Sequence, residues 1–386
     1  MRQYHKDQNI TDANFNKGRL NLGQLEKLYP HLCPSPVPIS ITPFASLQAS
    51  QWCKLITGAS FQDLPQIHNL ALAYTLAGVD CIDVAADPGV ITAALEGIES
   101  ALHHNPELIQ PFLMVSLNAG EDPHFRKAVF DPQSCPSDCP RPCVGICPAA
   151  AITFDLAKYP SPGVIRERCY GCGRCLPVCP LGHIITESQP AQPQILAPYI
   201  EAGQIQALEL HTRPGEKAAF LELWQQVKEF IPHLSVLAIS CPDSEGLQEY
   251  LAWIVDLISP LPCALIWQTD GRPMSGDIGD GATRACVKLA EKVLSQHLPG
   301  FVQVAGGTND HTVAKLRASG LLRSPRPGDD PPRSVAGIAY GSYARSLLAE
   351  FQVDGLAWSE VPDLLNAAVT VAQSLVHQIK TPAHHG

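Results

Sequence analysis

Eight of the fourteen cysteines fall between Cys135 and Cys179, and the last four of these follow the spacing C-x2-C-x2-C-x3-C-P in the run Cys169-Tyr-Gly-Cys172-Gly-Arg-Cys175-Leu-Pro-Val-Cys179-Pro180. That spacing wraps three thiolates around one [4Fe-4S] cube and sends the fourth to a neighbouring cluster. Gly171 and Gly173 allow the tight backbone path such a wrap needs, and Pro180 turns the chain away after the last thiol. The chemistry expected is one-electron transfer, at a potential the spacing leaves open. The competing reading is a structural zinc site or unligated thiols, which the four-cysteine spacing disfavours.

The first four, Cys135, Cys139, Cys143 and Cys147, are less regular: C-x3-C-x3-C replaces the usual C-x2-C-x2-C, and prolines stand between the thiols. From the residues alone this half admits a [4Fe-4S] cluster of altered geometry, a [3Fe-4S] cluster missing one ligand, or nothing stable. The Cys147-Pro148 ending and the second-site cysteine Cys179 favour two clusters. The block is similar to two-cluster bacterial ferredoxins, and that resemblance implies Cys169, Cys172, Cys175 and Cys147 as ligands of one cluster and Cys135, Cys139, Cys143 and Cys179 as ligands of the other. Arg141 and Arg174, beside these cysteines, read as solvated surface charges.

Fourteen cysteines in a secreted chain would suggest disulfides, but residues 1–21 are polar and lack the apolar stretch of an export signal. A net charge of -10 without a Lys/Arg cluster argues against nucleic-acid binding. No run has membrane-spanning length free of charge. With 45% hydrophobic and 17% charged residues, the chain reads as a globular cytoplasmic protein with a large core.

Around the cysteines, apolar runs alternate with helical patterns, the rhythm of βαβ units. Strands are expected at 53–57, 81–85, 112–117, 206–211, 235–240, 263–267, 301–305 and 335–340, and helices at 63–77, 88–103, 216–230, 244–258, 280–297, 311–319 and 361–380. No helix follows the third strand; the cysteine block sits there. Setting aside about 40 residues of N-terminal arm and about 60 of insert leaves about 290, close to the size of a (β/α)8 barrel. The expected fold is therefore a TIM-like α/β barrel with a ferredoxin-like 2x[4Fe-4S] insertion after the third strand; an open doubly wound sheet is the alternative. The expected divisions are an arm with a Pro-rich connector at 1–45, the first part of the barrel at 46–130, the iron-sulfur insert at 131–190 and the second part of the barrel at 191–386. A Pro-rich loop, 324–333, is expected between strands seven and eight, and the polar loop after strand six, 268–281, suits a lid or binding loop better than a plain connection.

Ligands gather at the C-terminal ends of barrel strands, with phosphate after the seventh and eighth. Gly306, Gly307, Thr308 and Gly341 stand there and are candidates for holding a flavin or another phosphate-bearing ligand; tight turns are the equally weighted alternative. No catalytic acid or base is identified. Cys53, Cys81 and Cys263 read as core thiols, and Cys241, at the functional face, as a core thiol with an outside claim to reactivity.

Three further runs carry a wider resemblance: Trp52-Cys-Lys-Leu-Ile-Thr-Gly-Ala-Ser-Phe61, Ala77-Gly-Val-Asp-Cys-Ile-Asp-Val-Ala-Ala-Asp87 and Gly271-Arg-Pro-Met-Ser-Gly-Asp-Ile-Gly279. Together with the cysteine block, in this order, they resemble the light-dependent period proteins of cyanobacteria. The resemblance implies an iron-sulfur redox sensor that modulates the circadian period and associates with clock input kinases and Kai-type proteins, a regulator more than an enzyme. The alternative is an oxidoreductase passing electrons from the clusters to a ligand at the barrel mouth.

Overall fold

The computed structural model describes residues 41–58, 63–120, 126–147, 149–154, 163–166, 168–188, 192–271, 283–322, 334–352 and 357–380. The arm, most of the Pro-rich connector, the 324–333 loop and most of the 268–281 loop lie outside the described residues.

The chain opens with α1 (Pro43–Gln48), β1 (Trp52–Ile56), α2 (Leu64–Leu76), β2 (Cys81–Ala85), α3 (Pro88–His104) and β3 (Phe112–Asn118). The insert holds β4 (Arg126–Val129), α4 (Pro142–Ile146), β5 (Ile152–Thr153), β6 (Gly163–Val164), α5 (Cys175–Val178) and β7 (Ile185–Ser188). Then come α6 (Ala197–Glu201), β8 (Ala207–His211), α7 (Lys217–Val227), β9 (Val236–Pro242), α8 (Leu247–Ile258), β10 (Ala264–Asp270), α9 (Thr283–Leu294) and β11 (Phe301–Ala305). The chain closes with α10 (Thr312–Ala318), β12 (Val335–Tyr340), α11 (Ser342–Leu347) and α12 (Pro362–Lys380).

Eight parallel strands close into one barrel in the order β1-β12-β11-β10-β9-β8-β3-β2, as expected. The runs are short, apolar and rich in β-branched residues, which suits strands buried on both faces. Outward side chains such as Leu55, Ile82, Val115 and Leu237 pack under the helices, and a second core of Trp52, Cys81, Met114, Ala207, Val236 and Ile266 fills the barrel. Lys380, at the end of α12, donates to Asp80 Oδ1 at 2.5 Å and to Ser46 Oγ at 2.8 Å, fastening the last helix to the N-terminal end of the barrel.

β9 and β10 run to Pro242 and Asp270, past their expected ends, because Thr269 pairs with Cys241 and Asp270 with Pro242. α8 starts at Leu247 instead of 244, since Gly246 takes a left-handed φ of 73°. α2 and α3 start on aspartate caps: Asp63 Oδ1 accepts from the Gln66 N–H at 3.4 Å, and Asp87 Oδ1 from the Gly89 N–H at 2.9 Å. After β3 the insert takes the usual helix position, and only a short 3-10 turn at Pro193–Leu196 and α6 precede β8.

Candidate metal centre

The insert is too small for a sizeable core, and its apolar centre is built from Ala128, Ile152 and Ile184 together with Cys143 and Cys175. Two antiparallel pairs frame it, β4 with β7 and β5 with β6. Each half of the cysteine block makes one short helix ending on a cysteine: the Cys147 N–H donates to Val144 O and the Cys179 N–H to Leu176 O, both at 3.4 Å. The irregular half absorbs its extra residues through Arg141, which takes a left-handed φ of 52° just before α4. Its guanidinium stacks 4.0 Å over the Phe154 ring while the residue stays exposed, so it is a surface charge, as expected, with one ring contact.

A small cavity is lined by Cys147, Cys169, Cys172 and Cys175, with Tyr170, Gly171, Gly173 and Ile152 completing its wall. Backbone N–H groups already point at its sulfurs: Ala151 to Cys147 Sγ at 3.2 Å and Ala128 to Cys169 Sγ at 3.4 Å. Gly171 has a φ of 78°, and a Cβ there would stand 2.2 Å from the Arg126 carbonyl oxygen, so no larger residue fits this wall. Burial pushes the Cys175 thiol up to about 12. Burial also raises the Cys172 thiol, opposed by the Arg174 backbone N–H and charge. These thiols are protonated at neutral pH, so a cation that binds them must displace the protons.

The other four cysteines also converge. Cys135 lies within electrostatic reach of Cys139 and Cys179, and Cys143 within reach of Cys179 and Cys135. Slight burial of Cys179 is outweighed by backbone N–H groups from Leu181, His183, Ile184 and Gly182, which hold its thiol below the ordinary value. Both sets are soft thiol donors with N–H groups aimed at sulfur, a donor set that fits an iron-sulfur cluster. Among the described residues no group of three or more His, Cys, Asp or Glu side chains could hold a single metal ion. A cube spreads its thiolates over four iron atoms and so needs its sulfurs farther apart than one ion does.

The insert is fastened to the C-terminal face of the barrel through the two helix caps. Arg174, between Cys172 and Cys175, hydrogen-bonds and ion-pairs with Asp63, the cap of α2. Lys127, on β4, lies 3.7 Å from Asp87, the cap of α3. Arg174 is thus a structural contact and not a free surface charge.

Under this face runs a layer of polar side chains that the sequence reading missed. Lys54, fully buried, donates to Asp83 Oδ2 at 3.0 Å and ion-pairs with Glu209. Ser116 Oγ donates to Asp83 Oδ1 at 2.6 Å, Gln268 Nε2 to Glu209 Oε1 at 2.6 Å, and Gln303 Nε2 to Gln268 Oε1 at 2.5 Å. His211 Nε2, a third exposed at the mouth, lies 3.0 Å from Glu209 Oε1. Burial opposes the Glu209 charge, but Lys54 and His211 pull its carboxyl down to about 2. Burial wins over Lys54 at Asp83, whose carboxyl is raised, and Glu209 outweighs burial at His211, whose imidazole is raised. The available signal was a polar residue inside an otherwise apolar run, Lys54, Asp83, Glu209 and Gln303, with Gln268 directly after the run 263–267.

On the same face, after the last two strands, Gly306 and Gly307 turn with φ of 66° and 94°, Thr308 Oγ1 donates to Ala339 O at 2.6 Å, and Gly341 precedes α11. Cys241 is buried, and burial together with Glu216 and Asp270 pushes its thiol up, which is not the electropositive setting that reactivity needs.

Residues 135–190 match the LdpA Fe-S cluster-binding domain, and residues 199–378 the light dependent period A C-terminal domain. Light dependent period A of Synechococcus elongatus is 49% identical over 343 residues, covering 88% of this chain and 94% of that protein. The chain belongs to the light dependent period A family. An iron-sulfur cluster-binding domain is therefore present in it, over residues 135–190. Solved barrels are far more distant from this family member. A KDPG aldolase from Legionella pneumophila is 12% identical with a TM-score of 0.33, covering 87% of this chain and 97% of its own. A Cryptosporidium parvum pyruvate kinase is 10% identical with a TM-score of 0.35, covering 88% and 76%. Among the described residues, no helix is long and apolar enough to cross a membrane.

Proposed function

We propose that the chain is a cytoplasmic redox sensor, whose two [4Fe-4S] clusters take Cys147, Cys169, Cys172 and Cys175 on one side and Cys135, Cys139, Cys143 and Cys179 on the other. A bound thiolate-ligated cluster supplies reversible one-electron oxidation and reduction. The observation carrying the sensor reading is that Arg174 sits within the cysteine motif and holds Asp63, the residue that starts α2. A charge change in the cavity acts on Arg174 at short range, and Arg174 is shared between that cavity and the helix cap. The barrel then carries the difference between states to a partner that binds one better than the other. Family membership supports a circadian role, with clock input and Kai-type proteins as the partners, which the relative's name, Light dependent period A, fits.

Hydrogen exchange on the oxidised and the reduced protein tests this reading. Sensing requires a redox-dependent change in the first turns of α2 and α3; identical exchange in both states rules it out. An oxidoreductase is the second reading, and the buried Lys54, Asp83, Glu209 and His211 layer beneath the insert favours it, because buried charge clusters at barrel mouths commonly serve chemistry. Turnover of a reduced electron carrier by the purified protein would decide for it.

A further inference from the structure

A second cationic feature lies on the same face, away from the insert. Arg345, on α11, is half-buried, and its Nη1 donates to Ile56 O at 3.0 Å, at the C-terminal end of β1. Among the described residues no carboxylate pairs with it, and burial alone lowers its guanidinium. A planar guanidinium has five N–H donors, so most of its fork is left for another acceptor.

Two residues without side chains keep that fork uncovered. A Cβ at Gly58 would stand 3.4 Å from Arg345 Cζ, and one at Gly341 would stand 3.7 Å from Nη1. A methyl group at either position would lie against the charge and shield it. Parallel pairing sets Leu55 beside Tyr340 and Val304 beside Ile338, so the ends of β1, β12 and β11 converge here. The Gly306-Gly307 turn borders the end of β12, because the neighbouring Thr308 bonds to Ala339 O. A partly desolvated arginine that no described carboxylate compensates, beside bare backbone, is the chemistry that recognises a tetrahedral oxyanion.

We propose that Arg345, with the Gly306-Gly307 turn, is an anion site that takes the phosphate group of a small phosphorylated metabolite at the barrel mouth. The site does not depend on the clusters, so it can be present whether or not the sensor reading holds.

Phosphorus NMR on the full-length protein, purified without oxygen, tests the site by titration with inorganic phosphate and with glycerol 3-phosphate. Saturable binding that falls about tenfold or more in Arg345→Gln, and is unchanged in Arg213→Gln, supports it. Tighter binding of the ester shows that the mouth also reads the organic body, and equal binding shows recognition of phosphate alone; both support the site. Should Arg345→Gln fail to fold, phenylglyoxal labelling of the wild type serves instead, with phosphate slowing modification at Arg345. Absence of saturable phosphate binding by the wild type, equal binding by Arg345→Gln, or labelling indifferent to phosphate overturns the proposal.

Discussion

Asp63 and Arg174 stand 111 positions apart in the chain, yet one carboxylate both accepts from the Arg174 guanidinium and caps α2. The pair joins the cysteine-bearing insert to the first barrel helix, and it is partly solvated, so its direct contribution to stability is small.

Its effect should fall on electron affinity. Asp63→Asn keeps a capping side chain but leaves Arg174 uncompensated beside Cys172, which favours the more negatively charged, reduced state. A redox titration followed by electron paramagnetic resonance should show a positive shift of roughly 20–40 mV, what about 0.5–1 kcal/mol amounts to for one electron. Arg174→Gln should shift it the other way. Unchanged potentials in both variants would remove Arg174 from the electrostatics of the site.

Gly171→Ala places a methyl 2.2 Å from the Arg126 carbonyl oxygen at a left-handed φ, so β4 must separate from the cavity wall. The expected cost is about 1–3 kcal/mol, felt locally in the insert. Iron content and visible absorbance after anaerobic purification should fall while the barrel's far-ultraviolet circular dichroism stays. The neighbouring exposed Gly182, with nothing near its Cβ, should tolerate alanine with the iron retained, apart from the strain of its own positive φ.

Lys54→Met strands Asp83 as a buried carboxylate without its counter-ion and leaves Glu209 only His211. Breaking a buried ion pair costs about 3–5 kcal/mol. Calorimetry should show a clear loss in melting temperature, partly recovered when Asp83→Asn and Glu209→Gln are added, because an apolar or neutral layer carries no charge to desolvate. A single variant as stable as wild type would mean that the layer is not charged in the folded state.

How much of this was legible beforehand follows from the range of each interaction. The barrel strands and the regular cysteine motif were readable because apolar runs and spacing are local: CIDVA is one short, mostly apolar run, and Cys169 to Cys179 lie within one turn-rich segment. The polar layer was not read, because Lys54, Asp83 and Glu209 meet only when the sheet closes and brings β1, β2 and β8 around one axis. For the same reason Arg174 looked like a free surface charge. Its partner, Asp63, is set by the seating of the insert on the barrel.

The coupled carboxylate and imidazole give stability a defined pH dependence. Glu209 is depressed from an ordinary 4.5 to about 2, so its contribution is present above pH 4.5 and is lost as the pH falls toward 2. His211 is raised from 6.5, so its contribution is present below pH 6.5 and is lost as the pH rises through its folded value. Denaturant unfolding against pH should therefore show a shoulder on the alkaline side that disappears in His211→Gln. A shoulder that survives the substitution would assign it to another group.

Iron and acid-labile sulfide per chain in oxygen-free preparations, with electron paramagnetic resonance of the reduced protein, test most directly whether two sets of four thiolates grip iron and sulfide. Two filled sites predict about eight of each and signals from two interacting clusters. Cys172→Ser should lose about half of the iron, and Cys135→Ser should remove the other half. A colourless protein without iron and silent by resonance would contradict the claim outright.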